Sequence, residues 1–317
     1  MRVGTRSSKL ALYQTNHVVS LLKQVHPQIE CEVITITTSG DAKRSVPIAE
    51  IGTRGVFVKE LEEALLSDKV DFVVHSLKDM PVEIPEGLSL VATLSREDTR
   101  DVIVSRDNKS LTELPANAVV ATSSRRRIAQ LKKLYPSFKF VDIRGNITTR
   151  LRKMDEGECD AMILAAAGLH RLNLQDRIVK YLSMDESTPA AGQGALAIEC
   201  RIDDTTTFEL LSKLDDLKTR IEISAERAFL GALGGGCSIP IGVSATFDSN
   251  ENELALVGAI ASIDGKSVHR SSISKKFDAS TSGASKLGLE LASSMQTEEV
   301  KLILEDLKKE ESRVSAP

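Results

Sequence analysis

The sequence predicts an α/β protein followed by a smaller α+β domain. Over roughly the first two hundred residues, short β-rich apolar runs alternate with segments of helical periodicity, which is typical of a parallel sheet with crossover helices. After about residue 217 the pattern changes to a helix, three strand-like runs broken by turns, and helical sequence to the end. At 317 residues the chain also exceeds the usual size of one hydrophobic core, which indicates more than one domain.

The individual elements follow from local patterns. The candidate strands of the α/β part are residues 1–4, 32–37, 71–75, 88–94, 101–105, 118–121, 139–143 and 161–164. The candidate helices between them, where apolar residues recur at helical spacing, are residues 10–25, 58–67, 126–135 and 147–156. The last domain is predicted to begin with helix 219–233 and to continue as an antiparallel meander with turns at 248–252 and 264–266. Residues 39–55 lack periodicity and are predicted to form a long mobile loop, such as a lid.

Composition excludes several classes of function. The formal net charge of −4 argues against a general nucleic-acid or membrane-surface protein, because such proteins usually carry a basic excess. The residues after Met1 already resemble a strand, and no apolar run approaches membrane-spanning length, so we expect a cytoplasmic protein. The cysteines are far apart and lack nearby histidines at ligand spacing, which predicts neither a disulfide framework nor a metal site. They are Cys31, Cys159, Cys200 and Cys237.

Cationic and hydroxyl side chains follow most of the predicted parallel strands, where ligands of open sheets usually bind. Arg6 and Ser8 follow the first strand, Ser124 and three arginines follow the strand at 118–121, and Arg144 and Arg150 follow the strand at 139–143. Each serine alone is more often a plain helix cap than a ligand site, and one member of an arginine run usually faces solvent. Together they indicate a site for an extended polyanion.

Two further segments stand out. Lys78 and Asp79 follow the strand that ends near His75. A carboxylate among cations is useful where positive charge develops in a reaction, but the segment is equally compatible with an ordinary polar loop before Pro81.

Three glycines precede Cys237. A glycine cap and a small buried cysteine are the simpler interpretation, but three glycines exceed what a cap needs and would admit a bulky group bonded to the sulfur.

The motifs together resemble the porphobilinogen deaminase (hydroxymethylbilane synthase) family over nearly the whole chain. They are Gly-Thr-Arg-Ser-Ser-Lys-Leu-Ala at 4–11, His-Ser-Leu-Lys-Asp-Met-Pro at 75–81, Thr-Ser-Ser-Arg-Arg-Arg at 122–127, Arg-Gly-Asn-Ile-Thr-Thr-Arg at 144–150, Ala-Gly-Gln-Gly at 191–194 and Gly-Gly-Gly-Cys-Ser-Ile-Pro at 234–240. The resemblance implies two α/β domains like those of periplasmic binding proteins (type II), residues 1–95 with 197–216 and residues 96–196. A smaller α+β domain with a three-stranded antiparallel sheet, residues 217–317, would carry Cys237.

The resemblance also implies the chemistry. Four porphobilinogen molecules would be condensed head to tail, with loss of ammonia, onto a dipyrromethane cofactor held by Cys237 through a thioether. Hydrolysis would then release hydroxymethylbilane for tetrapyrrole and heme biosynthesis. Asp79, with Lys78, would be catalytic and would stabilise the cation left when ammonia departs. The cofactor would be bound by Asp79, Lys78, Ser124, Arg126, Arg127 and Arg144, and the substrate by Arg6, Ser8, Phe57, Arg144, Arg150, Arg171 and Gln193.

The same resemblance makes residues 39–57 a lid, with Phe57 able to stack on a pyrrole ring. A cleft that closes within one chain requires no partner, so we expect a monomer, and the cysteine spacing gives no reason to expect a metal. Arg54 stands where the family often has lysine, and Arg125 where an apolar residue is common; both keep or add positive charge. The main alternative is a non-enzymatic two-lobed protein that binds an anionic solute or senses an effector, since fold alone does not separate the two. A nucleotide-binding enzyme is a weaker alternative, because the sequence has no phosphate-binding Gly-Lys-Ser/Thr loop.

Overall fold

The computed structural model describes residues 1–42, 57–235 and 239–314. The chain forms two compact units: unit 1 comprises Met1–Glu97 and Gly194–Arg220, and unit 2 comprises Asp98–Gln193 and Ile221–Pro317. The predicted division into three domains stays a prediction.

The elements lie along the chain as follows. The strands are β1 (Arg2–Thr5), β2 (Glu32–Thr35), β3 (Phe72–Ser76), β4 (Leu88–Thr93), β5 (Asp101–Ser105), β6 (Val119–Ala121), β7 (Lys139–Val141), β8 (Ala161–Ala165), β9 (Lys180–Tyr181), β10 (Leu196–Arg201), β11 (Ile241–Asp248), β12 (Glu253–Ala261) and β13 (Val268–Lys276). The α-helices are α1 (Lys9–Val25), α2 (Ser39–Ala42), α3 (Lys59–Leu66), α4 (Arg125–Leu134), α5 (Ile147–Asp155), α6 (Ala166–Arg171), α7 (Thr205–Ser212), α8 (Leu217–Ala232), α9 (Thr281–Ser294) and α10 (Glu298–Val314). Short 3₁₀ helices occupy Leu77–Asp79 and Gln175–Arg177.

Each unit contains a five-stranded sheet, and in both sheets one strand next to the edge strand runs antiparallel to its neighbours. Unit 1 has the order β2-β1-β3-β10-β4, and unit 2 has the order β7-β6-β8-β5-β9. In the sheet of unit 1, β1 is parallel to β2 and β3, whereas β10 is antiparallel to its neighbours β3 and β4. In the sheet of unit 2, β6 is parallel to β7 and β8, whereas β5 is antiparallel to its neighbours β8 and β9. The fold class predicted from the sequence is confirmed.

The prediction of a parallel sheet is wrong in one respect, because one strand in each sheet runs antiparallel to its neighbours. Strand β10 follows all the strands of the second sheet along the chain. It is therefore not linked to its own sheet by a short crossover helix, which would require it to be parallel. Periodicity predicts that a strand exists but not its direction. Strands β9 and β10 were also absent from the sequence-based prediction.

The predicted loop at 39–55 is wrong in its first residues, because Ser39–Ala42 form helix α2. Oε1 of Glu60 accepts a hydrogen bond of 2.7 Å from the backbone N–H of Ser39. An unpaired N–H at a helix start is thus satisfied from α3, a contact that local periodicity does not reveal. Residues 43–56, which include Arg54, lie outside the described residues, so the lid stays a prediction.

The predicted antiparallel meander is confirmed: β11, β12 and β13 pair in order in unit 2. Helix α8 packs on this sheet through Phe229, which is fully buried. A side chain at Gly258 on β12 would lie only 2.6 Å from the Phe229 ring, so the glycine is needed for this close packing.

Candidate active site

Arg126 and Arg127 lie in the first turn of helix α4, and both are held by one buried acid, Asp101, at the start of β5. Nη1 of Arg126 donates to Oδ2 of Asp101 at 2.7 Å, while Nε and Nη2 of Arg127 donate to Oδ1 at 3.0 and 2.7 Å. Arg126 also donates to the carbonyl oxygen of Thr188 at 2.6 Å. The two arginines predicted to bind the cofactor are therefore oriented by the protein itself; their contact with a ligand stays a prediction.

Asp101 accepts two more hydrogen bonds, from Oγ of Ser187 at 2.7 Å and from Nε2 of Gln193 at 2.9 Å. Burial alone would raise the pKa of this carboxyl, but the charges of Arg126 and Arg127 outweigh that effect and hold it far below the usual range. Asp101 is thus ionised at any physiological pH. Gln193, predicted to bind substrate, lies in this buried network, and it also donates to the carbonyl oxygen of Thr99 at 2.7 Å.

Arg144 and Arg150 form a second cationic group in the same unit. Nε of Arg150 donates to the carbonyl oxygen of Gly145 at 2.7 Å, and Arg144 lies 3.3 Å from a carboxylate oxygen of Asp142. Burial, and then the charges of Arg127 and Arg144, lower the pKa of Arg150. A bound carboxylate would relieve that repulsion, so this group is electrostatically prepared for an anion.

The hydroxyl residues of the motifs serve as helix caps. Oγ of Ser8 accepts from the backbone N–H of Ala11 at 3.2 Å, and Oγ of Ser124 accepts from that of Arg127 at 3.4 Å. The simpler interpretation of Ser8 and Ser124 is therefore confirmed, since each satisfies an N–H of the helix it starts. A hydroxyl keeps further hydrogen-bonding capacity, so their predicted ligand contacts stay predictions.

In unit 1, Lys78 and Asp79 lie in the 3₁₀ helix that directly follows β3. The backbone N–H of Met80 closes this turn by donating to the carbonyl oxygen of Leu77 at 3.0 Å. The Asp79 side chain is partly exposed and makes no hydrogen bond or ion pair with the described residues. A carboxylate that no described side chain neutralises is available for a positively charged ligand group.

Arg6 and Phe57 meet in unit 1. The guanidinium carbon of Arg6, just after β1, lies 4.0 Å from the centre of the Phe57 ring. This cation–π contact helps to orient the guanidinium. Both residues were predicted to bind substrate, and the structure brings them together.

The remaining predicted residues are Arg171 and Cys237. Arg171 ends helix α6 and is half-buried. Cys237 and Gly236 lie outside the described residues, so the attachment site stays a prediction. Helix α8, which precedes them, ends in a Schellman motif, in which Gly234 has a positive φ of 66°. The N–H of Gly234 donates to the carbonyl oxygen of Gly231, and the N–H of Gly235 donates to that of Leu230.

Sequence reasoning missed Asp101, which organises the arginine pair. The available signal was an acidic residue at the edge of the apolar run Val-Ile-Val, since acids are rarely fully buried unless they are paired. The same signal marks Glu199, a fully buried acid within strand β10.

No helix in residues 1–42, 57–235 or 239–314 is both long and apolar enough to cross a membrane. Across those same residues, no three His, Cys, Asp or Glu side chains cluster closely enough to hold a metal ion.

The fold and the two cationic groups define an α/β protein in which buried and half-buried arginines are held in place by protein carboxylates and carbonyl groups. Two family models match the chain: "Porphobilinogen deaminase, dipyromethane cofactor binding domain" over residues 1–209 and "Porphobilinogen deaminase, C-terminal domain" over residues 220–297. The chain belongs to the porphobilinogen deaminase family.

Curated relatives agree with this assignment. The chain is 51% identical over 269 residues to a porphobilinogen deaminase of Brevibacillus brevis. The matched region covers 85% of this chain and 87% of the relative. The chain is 48% identical over 307 residues to that of Trichlorobacter lovleyi, covering 97% and 96%. Among solved structures, an ancestral cationic amino acid solute-binding protein is similar with a TM-score of 0.42 and 17% identity, covering 68% of this chain and 87% of that one. That last similarity is too weak to inform function.

Proposed function

We propose that this chain is a transferase that condenses four porphobilinogen molecules head to tail, with loss of ammonia, and releases hydroxymethylbilane by hydrolysis. The observation that carries the proposal is the group of buried or half-buried arginines in unit 2, where Asp101 orients Arg126 and Arg127 and the charges of Arg127 and Arg144 repel that of Arg150. Each porphobilinogen unit brings an acetate and a propionate, so a growing chain supplies the carboxylates that would relieve this repulsion. Family membership supports the same reaction.

The arginines act by binding and orienting those carboxylates. A charge pair near 4 Å contributes about 4 kcal/mol at an effective dielectric constant near 20, before desolvation is subtracted. Because Arg127 is already fixed by Asp101, binding a carboxylate there requires little further ordering of the side chain. We assign Arg144 and Arg150, together with Arg171, to the substrate in unit 2.

The dipyrromethane cofactor fits the donors that unit 2 provides. Its carboxylates would be held by Ser124, Arg126, Arg127 and Arg144, and its attachment would be at Cys237. When bound, it supplies the terminal pyrrole ring to which the first substrate unit is joined. Among the described residues, Asp101 pairs with Arg126 and Arg127, and Asp142 pairs with Arg144. A bound carboxylate beside Arg150 would offset the repulsion that Arg127 and Arg144 exert on it.

Unit 1 provides the proposed catalytic residues. As the C–N bond of the aminomethyl group breaks and ammonia leaves, positive charge spreads over the substrate ring. We assign Asp79 to stabilise that charge, because its carboxylate is uncommitted among the described residues, and Lys78 to assist beside it. Arg6, Ser8 and Phe57 are the further residues of this unit that we assign to the substrate.

Incubation of the purified chain with porphobilinogen tests the proposal. We expect one ammonia per substrate consumed and a linear tetrapyrrole product. Saturable binding of porphobilinogen without release of ammonia would instead favour a non-enzymatic solute-binding or effector-sensing protein. We further propose that the chain is a cytoplasmic monomer that does not bind nucleic acid; light scattering coupled to size-exclusion chromatography tests the monomer.

A further inference from the structure

A fully buried glutamate on helix α8, Glu226, has no role in the function proposed above. Its two carboxylate oxygens accept hydrogen bonds from two separate parts of unit 2. Oε2 accepts from the backbone N–H of Gly192 at 2.7 Å, and Oε1 accepts from that of Ala245, on β11, at 2.8 Å. Both bonds are short, as is usual when the acceptor carries charge. One side chain of α8 thus joins β11 to the chain at Gly192.

Gly192 lies in a β-turn whose own hydrogen bond leaves the Gly192 N–H unused. The N–H of Gln193 donates to the carbonyl oxygen of Ala190 at 3.0 Å, and Gly192, at the third position of the turn, has a φ of 72°. A positive φ at that position is required in a type II turn and favours glycine. The N–H of Gly192 is buried, so it needs an acceptor from outside the turn. Glu226 supplies that acceptor.

Gln193, directly after Gly192, bonds the acid that orients the arginine pair. Its Nε2 donates to Oδ1 of Asp101 at 2.9 Å and to the carbonyl oxygen of Thr99 at 2.7 Å. Nε of Arg127 donates to the same oxygen of Asp101 at 3.0 Å. The amide of Gln193 reaches this oxygen only while the backbone of the turn is held in place. A shift of the turn would therefore weaken a bond to Asp101.

The chain just before the turn is fixed to the same arginine pair and to β11. The carbonyl oxygen of Thr188 accepts from Nη1 of Arg126 at 2.6 Å. The N–H of Val243, on β11, donates to the carbonyl oxygen of Pro189 at 2.8 Å. A side chain at Gly242 would lie only 2.4 Å from the Thr188 oxygen, so β11 packs directly against this part of the chain. The chain that Glu226 holds thus bonds both the C-terminal sheet and the arginines.

We propose that Glu226 is a positioning residue for the pair Arg126 and Arg127. It fixes the turn that precedes Gln193, and Gln193 and Asp101 extend its effect to the arginines. The role requires two acceptor oxygens, because two backbone N–H groups from different elements donate to the carboxylate. The consequence for cofactor binding rests on the proposed function, whereas the positioning itself does not.

Glu226→Gln tests the positioning, because its amide has one acceptor oxygen and would turn an NH₂ group towards one of the two backbone N–H donors. The measurement is the hydrogen-exchange rate of the Arg127 Nε–H, followed by NMR on protein labelled with ¹⁵N-arginine. The signal is identified by its absence in Arg127→Lys. We expect exchange about tenfold faster, or more, in Glu226→Gln than in the wild type, because Asp101 would be held less firmly.

Glu222→Gln is the matched control. Glu222 lies one turn earlier on α8 and is also buried, and its Oε1 accepts from the N–H of Phe247, on β11, at 3.0 Å. An amide oxygen is able to keep that bond, so the same change of charge in the same helix should leave Arg127 exchange within about twofold of the wild type. An unchanged rate in Glu226→Gln, or equal acceleration in both variants, would overturn the proposal.

Two further measurements do not require Glu226→Gln to fold. In the wild type, the N–H of Gly192 should be protected from exchange by about a thousandfold or more, because it is buried and bonded to a carboxylate. Protection below about tenfold would overturn the proposal, since the turn would open too often to hold Gln193. Gln193→Ala leaves Glu226 in place but removes the bond to Asp101, and it should accelerate Arg127 exchange as well. An unchanged rate in that variant would refute the route through Gln193.

The fraction of purified molecules that carry the dipyrromethane tests the consequence for the proposed function. Arg126 and Arg127 are assigned to its carboxylates, so Glu226→Gln should lower that fraction by about threefold, whereas Glu222→Gln should match the wild type. Intact mass spectrometry measures it. Equal fractions in the wild type and Glu226→Gln would overturn the effect on cofactor binding. A wild type without added mass would instead refute the proposed cofactor, while the exchange rates would still decide the positioning.

Discussion

Nε and Nη2 of Arg127 both donate to the same carboxylate oxygen of Asp101, at 3.0 and 2.7 Å. These two bonds fix the plane of the guanidinium group. Nη1 donates to the carbonyl oxygen of Ile163 at 3.1 Å, which removes the remaining rotational freedom. The side chain is thus ordered before any ligand arrives, and the conformational entropy that a flexible arginine would lose on binding is already lost on folding.

Asp101→Asn should destabilise unit 2 by about 3–5 kcal/mol, because the amide leaves two buried arginines without their counter-charge. Denaturant unfolding measures the loss. The matched control is Asp98→Asn, which breaks the more exposed pair with Arg100 and should cost about 1 kcal/mol or less. Equal losses in the two variants would refute the central role of Asp101.

The Asp101 prediction has a specific pH dependence. The pKa of Asp101 is depressed in the folded state, so its stabilising contribution is fully present above the unfolded pKa, near 4, and is lost as pH falls below that value. The advantage of the wild type over Asp101→Asn should therefore stay constant from pH 5 to 8 and shrink in more acidic solution. A constant difference down to about pH 3 would contradict the ionised state of Asp101.

Much of the fold follows from local patterns in the sequence. The strand at Asp101–Ser105 was predicted with its observed bounds, and helices α1 and α5 were predicted to within one residue at each end. These predictions succeed because an apolar run and a regular helical spacing are local properties of the sequence. Strand β10 was missed although Leu196–Arg201 is almost entirely buried. Its direction and its place between β3 and β4 depend on long-range pairing, which no local window contains.

The site was predicted by residue type but not by partner. The sequence identifies Arg126 and Arg127 as cations at the start of a helix, and the structure adds that Asp101 orients both. It also identifies Arg6 and Phe57 separately, and the structure adds their contact at 4.0 Å. Such pairings join residues far apart in sequence, so they require the fold.

Asp79→Asn should leave the fold intact and reduce turnover of porphobilinogen by about a hundredfold or more, since the amide does not offset a developing cation. Little stability should be lost, because the Asp79 side chain makes no hydrogen bond or ion pair with the described residues. Asp176→Asn, in the other 3₁₀ helix, is the matched control and should retain full turnover. Near-normal ammonia release by Asp79→Asn would remove Asp79 from the mechanism.

Arg150→Ala should block particular elongation steps, because it removes a cation that carboxylates of the growing chain would occupy. Native mass spectrometry after brief exposure to porphobilinogen should show complexes with fewer substrate units accumulating. Arg152→Ala removes an exposed arginine, paired with Glu156, from the same helix and should give the wild-type distribution. An unchanged distribution in Arg150→Ala would exclude this residue from the polyanion site.

The purified protein should carry extra mass on a peptide that contains Cys237, and Cys237→Ser should lack it. The thiolate is the reactive form of cysteine, and burial raises the pKa of both Cys159 and Cys200 to about 11, so those two thiols are poor nucleophiles. Cys31 is only half-buried, and Cys31→Ser is therefore the stringent control; it should keep the added mass. Extra mass that disappears in Cys31→Ser but persists in Cys237→Ser would place the cofactor elsewhere. Unmodified protein that still releases ammonia would show that the chain works without a covalent cofactor.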